Sequence, residues 1–117
     1  MSNPEIALDE TNNQIALISS STAYVYKLID LKLGKATLIN KFNISSNKQG
    51  VELYNGYLYY LAGNKTFTLK KYKVSNGTLV KSLSFSLSNT GEAEGMSIYN
   101  GNVYLGITGS DKSIEFI

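Results

Sequence analysis

"QGVELYNGYLYYLAGN", residues 49–64, returns in altered form as "EGMSIYNGNVYLGITG", residues 94–109. Gly50, Tyr54-Asn55-Gly56 and Tyr59 of the first stretch align with Gly95, Tyr99-Asn100-Gly101 and Tyr104 of the second. Asn-Gly between two alternating apolar runs is the strongest short hairpin signal, because both central residues of a type I′ turn need positive φ. The reading therefore pairs 50–54 with 57–62, and 95–99 with 102–107, as antiparallel hairpins.

Working outward, the N-terminal third repeats the theme more loosely. "EIALDETNNQIALISS" (5–20) reads as strand, turn at Thr11-Asn12-Asn13, strand. "AYVYKLIDLKLGKATLINKFNISSN" (23–47) is similar to "TLKKYKVSNGTLVKSLSFSLSN" (68–89). Here Tyr26-Lys27-Leu28 matches Tyr72-Lys73-Val74, Gly34 matches Gly77, and Phe42 matches Phe85. The unit is thus four strands in about 45 residues, the length and strand count of a propeller blade. The fold class expected is all-β: a β-propeller-like array of four-stranded antiparallel blades, two full (about 5–46 and 49–89) and a three-stranded third (92–117). The whole of 1–117 reads as a single all-β domain, with a β-sandwich as the alternative. No helix of useful length is expected; the best candidate, 91–98, holds two glycines and aligns with a strand.

Composition excludes several chemistries. The chain has 117 residues, no cysteine and no histidine. Disulfides, thiolate zinc sites and any Ser-His-Asp or Cys-His centre are ruled out within one chain. No run reaches the roughly 18 apolar residues of a membrane span. The start, "MSNPEIALDE", has neither a basic n-region nor an apolar h-region, so no cleavable secretory signal is read there. The net charge of +2 hides a pattern: Lys27 to Lys81 holds ten lysines against Asp30 and Glu52, a local +8, between flanks of −3 each. Such a basic middle suits an anionic polymer, although lysines also guard strand edges. Every basic residue is Lys, which argues against bidentate base recognition and hence against nucleic acid.

The Gly-strand-Asn-Gly hairpins, followed by a Tyr-Lys strand and a Gly turn, resemble the C-terminal part of helveticin J and related class III bacteriocins. That resemblance implies a propeller fold, secretion, and binding or killing of related Gram-positive bacteria through the cell envelope. The family's members are roughly three times longer than this chain.

Candidate ligand-binding residues are Tyr54 and Tyr99, which precede hairpin turns and could stack on sugar rings, and the cluster Lys70, Lys71 and Lys73. Strand alternation sends Lys71 and Lys73 to one side and Lys70 with Tyr72 to the other. Gln49, Glu52 and Glu94 are expected to line a central channel, since the first strand of each blade lies nearest the axis. Paired carboxylates there would permit glycosidase-type acid–base work, but solvated rim acids are the plainer reading, and no catalytic residue is assigned. Asp9-Glu10 and Asp111 read as turn chemistry, and "SDKS" (110–113) is too poor in oxygen ligands for a calcium loop. No metal or cofactor is expected. Tyr59 and Tyr104 are read as packing residues between blades.

Three functions follow from these features. The first is a non-enzymatic bacteriocin-like module that binds teichoic acid or glycan. The others are a propeller-fold carbohydrate hydrolase and a ligand-free propeller fragment. Because an open array leaves faces bare, self-association as a homodimer is expected. The bare surface of the first blade is expected among Ile15, Leu17, Val25 and Leu28. An edge ending in Ile114, Phe116 and Ile117 is expected on the third.

Overall fold

The computed structural model describes residues 5–44, 48–63, 66–86, 93–99, 102–107 and 110–115. Side chains are described for these except at 48–49, 93–95, 97, 105–107 and 110–115. The described chain is all-β apart from one short helix. Its elements are β1 (Glu5–Asp9), β2 (Gln14–Ser19), β3 (Thr22–Lys27), α1 (Leu28–Lys32), β4 (Leu38–Asn43), β5 (Lys48–Tyr54), β6 (Tyr57–Gly63), β7 (Thr66–Lys73), β8 (Thr78–Ser86), β9 (Ala93–Tyr99), β10 (Asn102–Ile107) and β11 (Ser110–Glu115). They form three antiparallel meanders: β1-β2-β3-β4, β5-β6-β7-β8 and β9-β10-β11.

The expected hairpins are present. Tyr54 pairs with Tyr57 across a two-residue turn in which Asn55 has φ 53° and Gly56 φ 82°, the conformation for which Asn-Gly is selected. Tyr99 pairs with Asn102 in the same way; the Asn100-Gly101 turn lies outside the described residues. In the first sheet the corresponding turn is longer. Asp9 closes it by accepting from the Asn12 backbone N–H (3.2 Å) and side-chain amide (2.8 Å).

Hydrogen bonding confirms the repeat between the first two sheets. The Val74 N–H donates to the Gly56 carbonyl (3.1 Å), and the Leu28 N–H donates to the Asn13 carbonyl (3.1 Å). Both bonds tie the first hairpin turn to the residue after the third strand, and Leu28 and Val74 are both buried. The outer strands are bulged at the same place: Tyr26 pairs with Leu38 after Val25 pairs with Asn40, and Tyr72 with Leu79 after Lys71 with Lys81. This register sets Phe42 level with Leu83, two residues from the expected match with Phe85.

The helix was not expected. It interrupts the first repeat at "LIDLK", and Lys27 supplies no side-chain cap. Instead the Ile29 N–H donates to Asn13 Oδ1 (2.7 Å), so the neighbouring turn satisfies an orphan donor. At the other end Lys35 N–H donates to the Asp30 carbonyl (2.8 Å) and Gly34 N–H to that of Leu31 (3.0 Å). Those are the paired bonds of a Schellman stop, with Gly34 at φ 80°. Five residues, closed by a tertiary bond at one end and a local stop at the other, leave little helical periodicity to detect.

The sheets stack face to face and approach most closely along their first strands, with β1 beside β5 and β5 beside β9. Two cores fill the seams. The first contains Ala7, Ala16, Ile18, Ala23 and Val25 against Val51, Leu53, Leu58, Tyr60 and Tyr72. The second contains Tyr59, Leu61, Phe67 and Leu69 against Met96 and Val103. Each sheet thus has a front face that meets the back face of the next. Tyr59 is a seam residue, 4% exposed, as expected; Tyr104, its counterpart, is 38% exposed, with no sheet over it among the described residues. The bare surface of the first sheet is its back, where Ile6 is 60% and Leu8 49% exposed. Of the four residues expected there, Leu17 is part-exposed, whereas Ile15, Val25 and Leu28 are buried. Val25 belongs to the front, one residue out of phase with Tyr24 and Tyr26. The expected edge at Ile114, Phe116 and Ile117 lies outside the described side chains.

Candidate functional site

Register places residues of three strands on the front of the second sheet in two rows. Glu52, Tyr59, Lys71 and Lys81 form one row, and Tyr54, Tyr57, Lys73 and Thr78 form the row nearer the hairpin turn. Directly paired residues of an antiparallel ladder share a face and lie close enough for their side chains to interact. Here they do: Lys71 Nζ lies 4.3 Å from the centre of the Tyr57 ring and 5.6 Å from that of Tyr59. A cation over an aromatic ring is worth about 0.5–1 kcal/mol at an exposed site, more where water is excluded. The ammonium is therefore held at a fixed place and keeps donors for an anion.

Third-sheet packing grades this surface from dry to wet. Tyr59 is buried, and its hydroxyl is pushed above its usual pKa, first by burial and then by the neighbouring Tyr54 and Tyr57. Glu52, opposite Tyr59, is half-buried, and burial raises its carboxyl above the usual carboxylate range. Tyr57 packs at the margin of the second core. Tyr54 and Lys73 are exposed at the turn end. The arrangement is a ledge of two aromatic rings and two lysines.

Behind the ledge a cleft of about 250 Å³ opens at the seam between the first and second sheets, lined by Gln14, Asn55, Tyr57, Lys73 and Ser75 among others. Gln14 Oε1 is buried and receives no hydrogen bond. Buried polar atoms seldom go unpaired, so the acceptor behind this wall is left unsatisfied where the two sheets meet. Asn40 fixes the seam beside it, donating from its side-chain amide to the Val74 carbonyl (2.8 Å).

The residues singled out in the sequence do not all meet. Tyr54, Lys71 and Lys73 share the ledge. Lys70 pairs with Tyr60 and Ser82 and faces the other side, as strand alternation required. Tyr99 is 67% exposed on the front of the third sheet, one repeat away. Glu52 lies on β5, the strand nearest the neighbouring first strands. Gln49 and Glu94 lie on β5 and β9, but their side chains are outside those described. Sequence reading missed Tyr57 and Gln14. Tyr57 was within reach, because alternation from Tyr59 and cross-strand pairing to Lys73 both put it on this face. Gln14 carried no signal, since its importance comes from a seam between repeats. Among the described residues no cluster of three or more acidic or other ligating groups could hold a metal, and no helix is long and apolar enough to cross a membrane.

No family model matches the sequence, and no curated protein matches it at a significant level. Among solved structures, the chain is similar to the tail fiber of Staphylococcus aureus phage P68, with a TM-score of 0.70 and 22% identity. The match covers 95% of this chain and 27% of that one. It is also similar to Myxococcus xanthus glutaminyl cyclase, with a TM-score of 0.62 and 14% identity, covering 94% of this chain and 46% of the cyclase. The chain thus spans about a quarter and about half of these two structures, and shares their fold over that part.

Proposed function

We propose that the sheets are blades of a β-propeller, and that the protein is a secreted, non-enzymatic, bacteriocin-like antibacterial module. In this reading it binds the envelope of Gram-positive bacteria through teichoic acid or glycan and acts as a homodimer. The observation that carries the binding role is the ledge, where Lys71 is held over Tyr57 beside exposed Tyr54 and Lys73. A polyol-phosphate chain presents repeating anions and hydroxyls. The lysines suit the first, and the tyrosine rings suit the second. Likeness to a phage tail fiber supports a role at a cell surface. Lysines without arginine suit loosely repeated phosphates better than a base-specific target.

The test is sedimentation of the protein with purified Gram-positive cell walls before and after removal of teichoic acid. Binding is expected to fall on removal and with rising salt, as screening of exposed charges requires. Lys73→Gln and Tyr54→Ala are expected to weaken it. Equal binding to stripped walls, or no binding at all, removes the electrostatic reading.

One observation favours a second reading, a carbohydrate hydrolase. Glu52 has a raised pKa on the strand nearest the neighbouring sheets, as a general acid would need. Release of reducing sugar that disappears in Glu52→Gln or Glu94→Gln would establish it.

A further inference from the structure

On their first strands the back of the first sheet and the back of the second present the same surface, once bare and once covered. Register gives the second sheet two back rows: Val51, Tyr60, Lys70, Ser82 and Leu53, Leu58, Tyr72, Leu79. The first sheet has Ile6, Leu17, Tyr24, Lys41 and Leu8, Ile15, Tyr26, Leu38 in the same places. Val51 is 6% exposed and Leu53 5%, under the front of the first sheet; Ile6 is 60% and Leu8 49%. At these two first-strand positions residue type and place match between the sheets, so the difference is the absence of a neighbour over β1. Farther along the second row the two sheets agree, with Ile15 9% and Leu58 0% exposed and Leu38 49% and Leu79 45%, so the bare part of the back is its first-strand side.

The molecule also carries the matching half. The front of the third sheet presents Tyr99 and Tyr104 at the positions of Tyr54 and Tyr59. In the second sheet Tyr59 is buried against Met96 and Val103 of the third. By register the first-sheet counterparts of Met96 and Val103 are Ile6 and Ile15.

We infer that the bare back of the first sheet is covered by the front of the third sheet of a second copy of this chain, and reciprocally. Tyr104 of one copy then packs near Ile6 and Ile15 of the other, as Tyr59 packs near Met96 and Val103. Each copy has one bare back and one bare front, so a two-fold axis satisfies both at once and closes the stack without polymerising. The new contact continues the seam that already repeats within the chain. The inference gives surfaces to the homodimer named above. It is read from mass in solution, whatever the protein does or does not do on cell walls.

The experiment is sedimentation equilibrium on the intact protein at micromolar concentration, with circular dichroism to confirm folding. The wild type is expected at twice 12.8 kDa. Ile6→Lys, Leu8→Lys on the back and Tyr104→Lys on the front are each expected to weaken the dimer at least about tenfold, because each puts a charge into a seam built from apolar burial. Mixing the Ile6→Lys chain with the Tyr104→Lys chain leaves one intact seam per pair, so the mixture is expected to associate more than either variant alone. A monomeric wild type overturns the inference, with the bare back then left to water or to another chain. A dimer untouched by Tyr104→Lys overturns it too, because back-to-back contact would do without that residue. A mass rising without limit overturns the two-fold closure.

Discussion

Gly34 and Gly77 occupy matching places in the first two repeats and have similar backbones, with φ 80° and 70°. Their surroundings differ sharply. A Cβ on Gly34 would have nothing within 4 Å, whereas one on Gly77 would lie 2.8 Å from Phe42 Cβ and 3.0 Å from its Cγ. Phe42 belongs to the first sheet, packs on the first core, and sets its ring 5.6 Å from that of Tyr72. The clash falls on the fixed base of that side chain, so rotation about χ1 cannot relieve it. Alanine in a left-handed backbone costs about 1–2 kcal/mol at either site. Overpacking a seam adds about 1–3 kcal/mol at Gly77 alone. Gly34→Ala is therefore expected to destabilise by about 1–2 kcal/mol and Gly77→Ala by about 2–5 kcal/mol. The assay is urea unfolding at one fixed protein concentration. With m-values of about 1–3 kcal/mol/M, the gap between the variants is a midpoint difference on the order of 1 M. Equal midpoints at unchanged m would refute the reasoning, because they would mean that the Gly77 turn does not press on Phe42 and that the first seam is looser than described.

Further outcomes follow from other sites. Gly56→Val is expected to cost more than about 1 kcal/mol, since a β-branched residue resists positive φ in a type I′ turn; an unchanged melting temperature would exclude the turn geometry. Glu52 has a raised folded pKa, so the folded chain holds its proton longer, and stability is lost as pH rises from the usual carboxylate range through the folded value. Glu52→Gln is therefore expected to raise the melting temperature at neutral pH and to give no gain in acid, as thermal scans at the two pH values would show. Tyr60 is pushed up to about 12, first by burial and then by Tyr72 and Glu5. Its neutral form thus supports the fold below pH about 10, and that support is lost between about 10 and about 12. Tyr60→Phe is expected to move alkaline unfolding, followed by tyrosinate absorbance, to higher pH.

What could be read from the chain alone divides along physical lines. Positive φ at Asn55 and Gly56 leaves a residue-type signature, so the hairpin was legible. The match of Tyr26 with Tyr72 was legible because both close a third strand before a turn. The five-residue helix was not, because its termini are satisfied by Asn13 and Gly34 rather than by a pattern within it. The bare face was misplaced for a different reason. Period-two alternation separates the faces of a strand, but here both faces are apolar, and alternation cannot say which one has a neighbour. Ile15 and Val25 sit on opposite faces of the first sheet, and nothing in their chemistry tells them apart. The ledge was half legible: alternation separated Lys70 from Lys71 and Lys73, while the cleft at Gln14 depends on two repeats meeting.

The two seams within the chain are built to different measures, and this bears on which faces can meet. In the first, a front of small residues (Ala7, Ala16, Ala23) meets a back that carries Tyr60 and Tyr72. In the second, a front carrying Tyr59 and Phe67 meets Met96 and Val103, with no aromatic residue from the third sheet's back. At the equivalent positions Ala16 and Tyr59 the front is small where the facing back is large and large where it is not, while farther along the first seam Phe42 of the front meets Tyr72 of the back. On the back of the first sheet, the position of Tyr60 is held by Leu17. On its first two strands that back carries only aliphatic residues (Ile6, Leu8, Ile15, Leu17), with Tyr24 and Tyr26 on the third, so its first-strand side suits a front that brings a large residue. The third sheet's front, with Tyr104, is of that kind; the first sheet's front, with Ala16 at the same position, is not. A cavity would remain if the first sheet's front were set against the bare back of another copy, and such voids cost about 24 cal/mol per Å³. Third front on first back is therefore the one pairing among bare faces that repeats a seam the chain already makes. Tyr104→Ala should then weaken association while Ala16→Gly leaves it unchanged, since Ala16 is already spent on Tyr60 within its own chain. Equal loss in the two variants, measured by sedimentation, would mean that size matching does not choose the partner face.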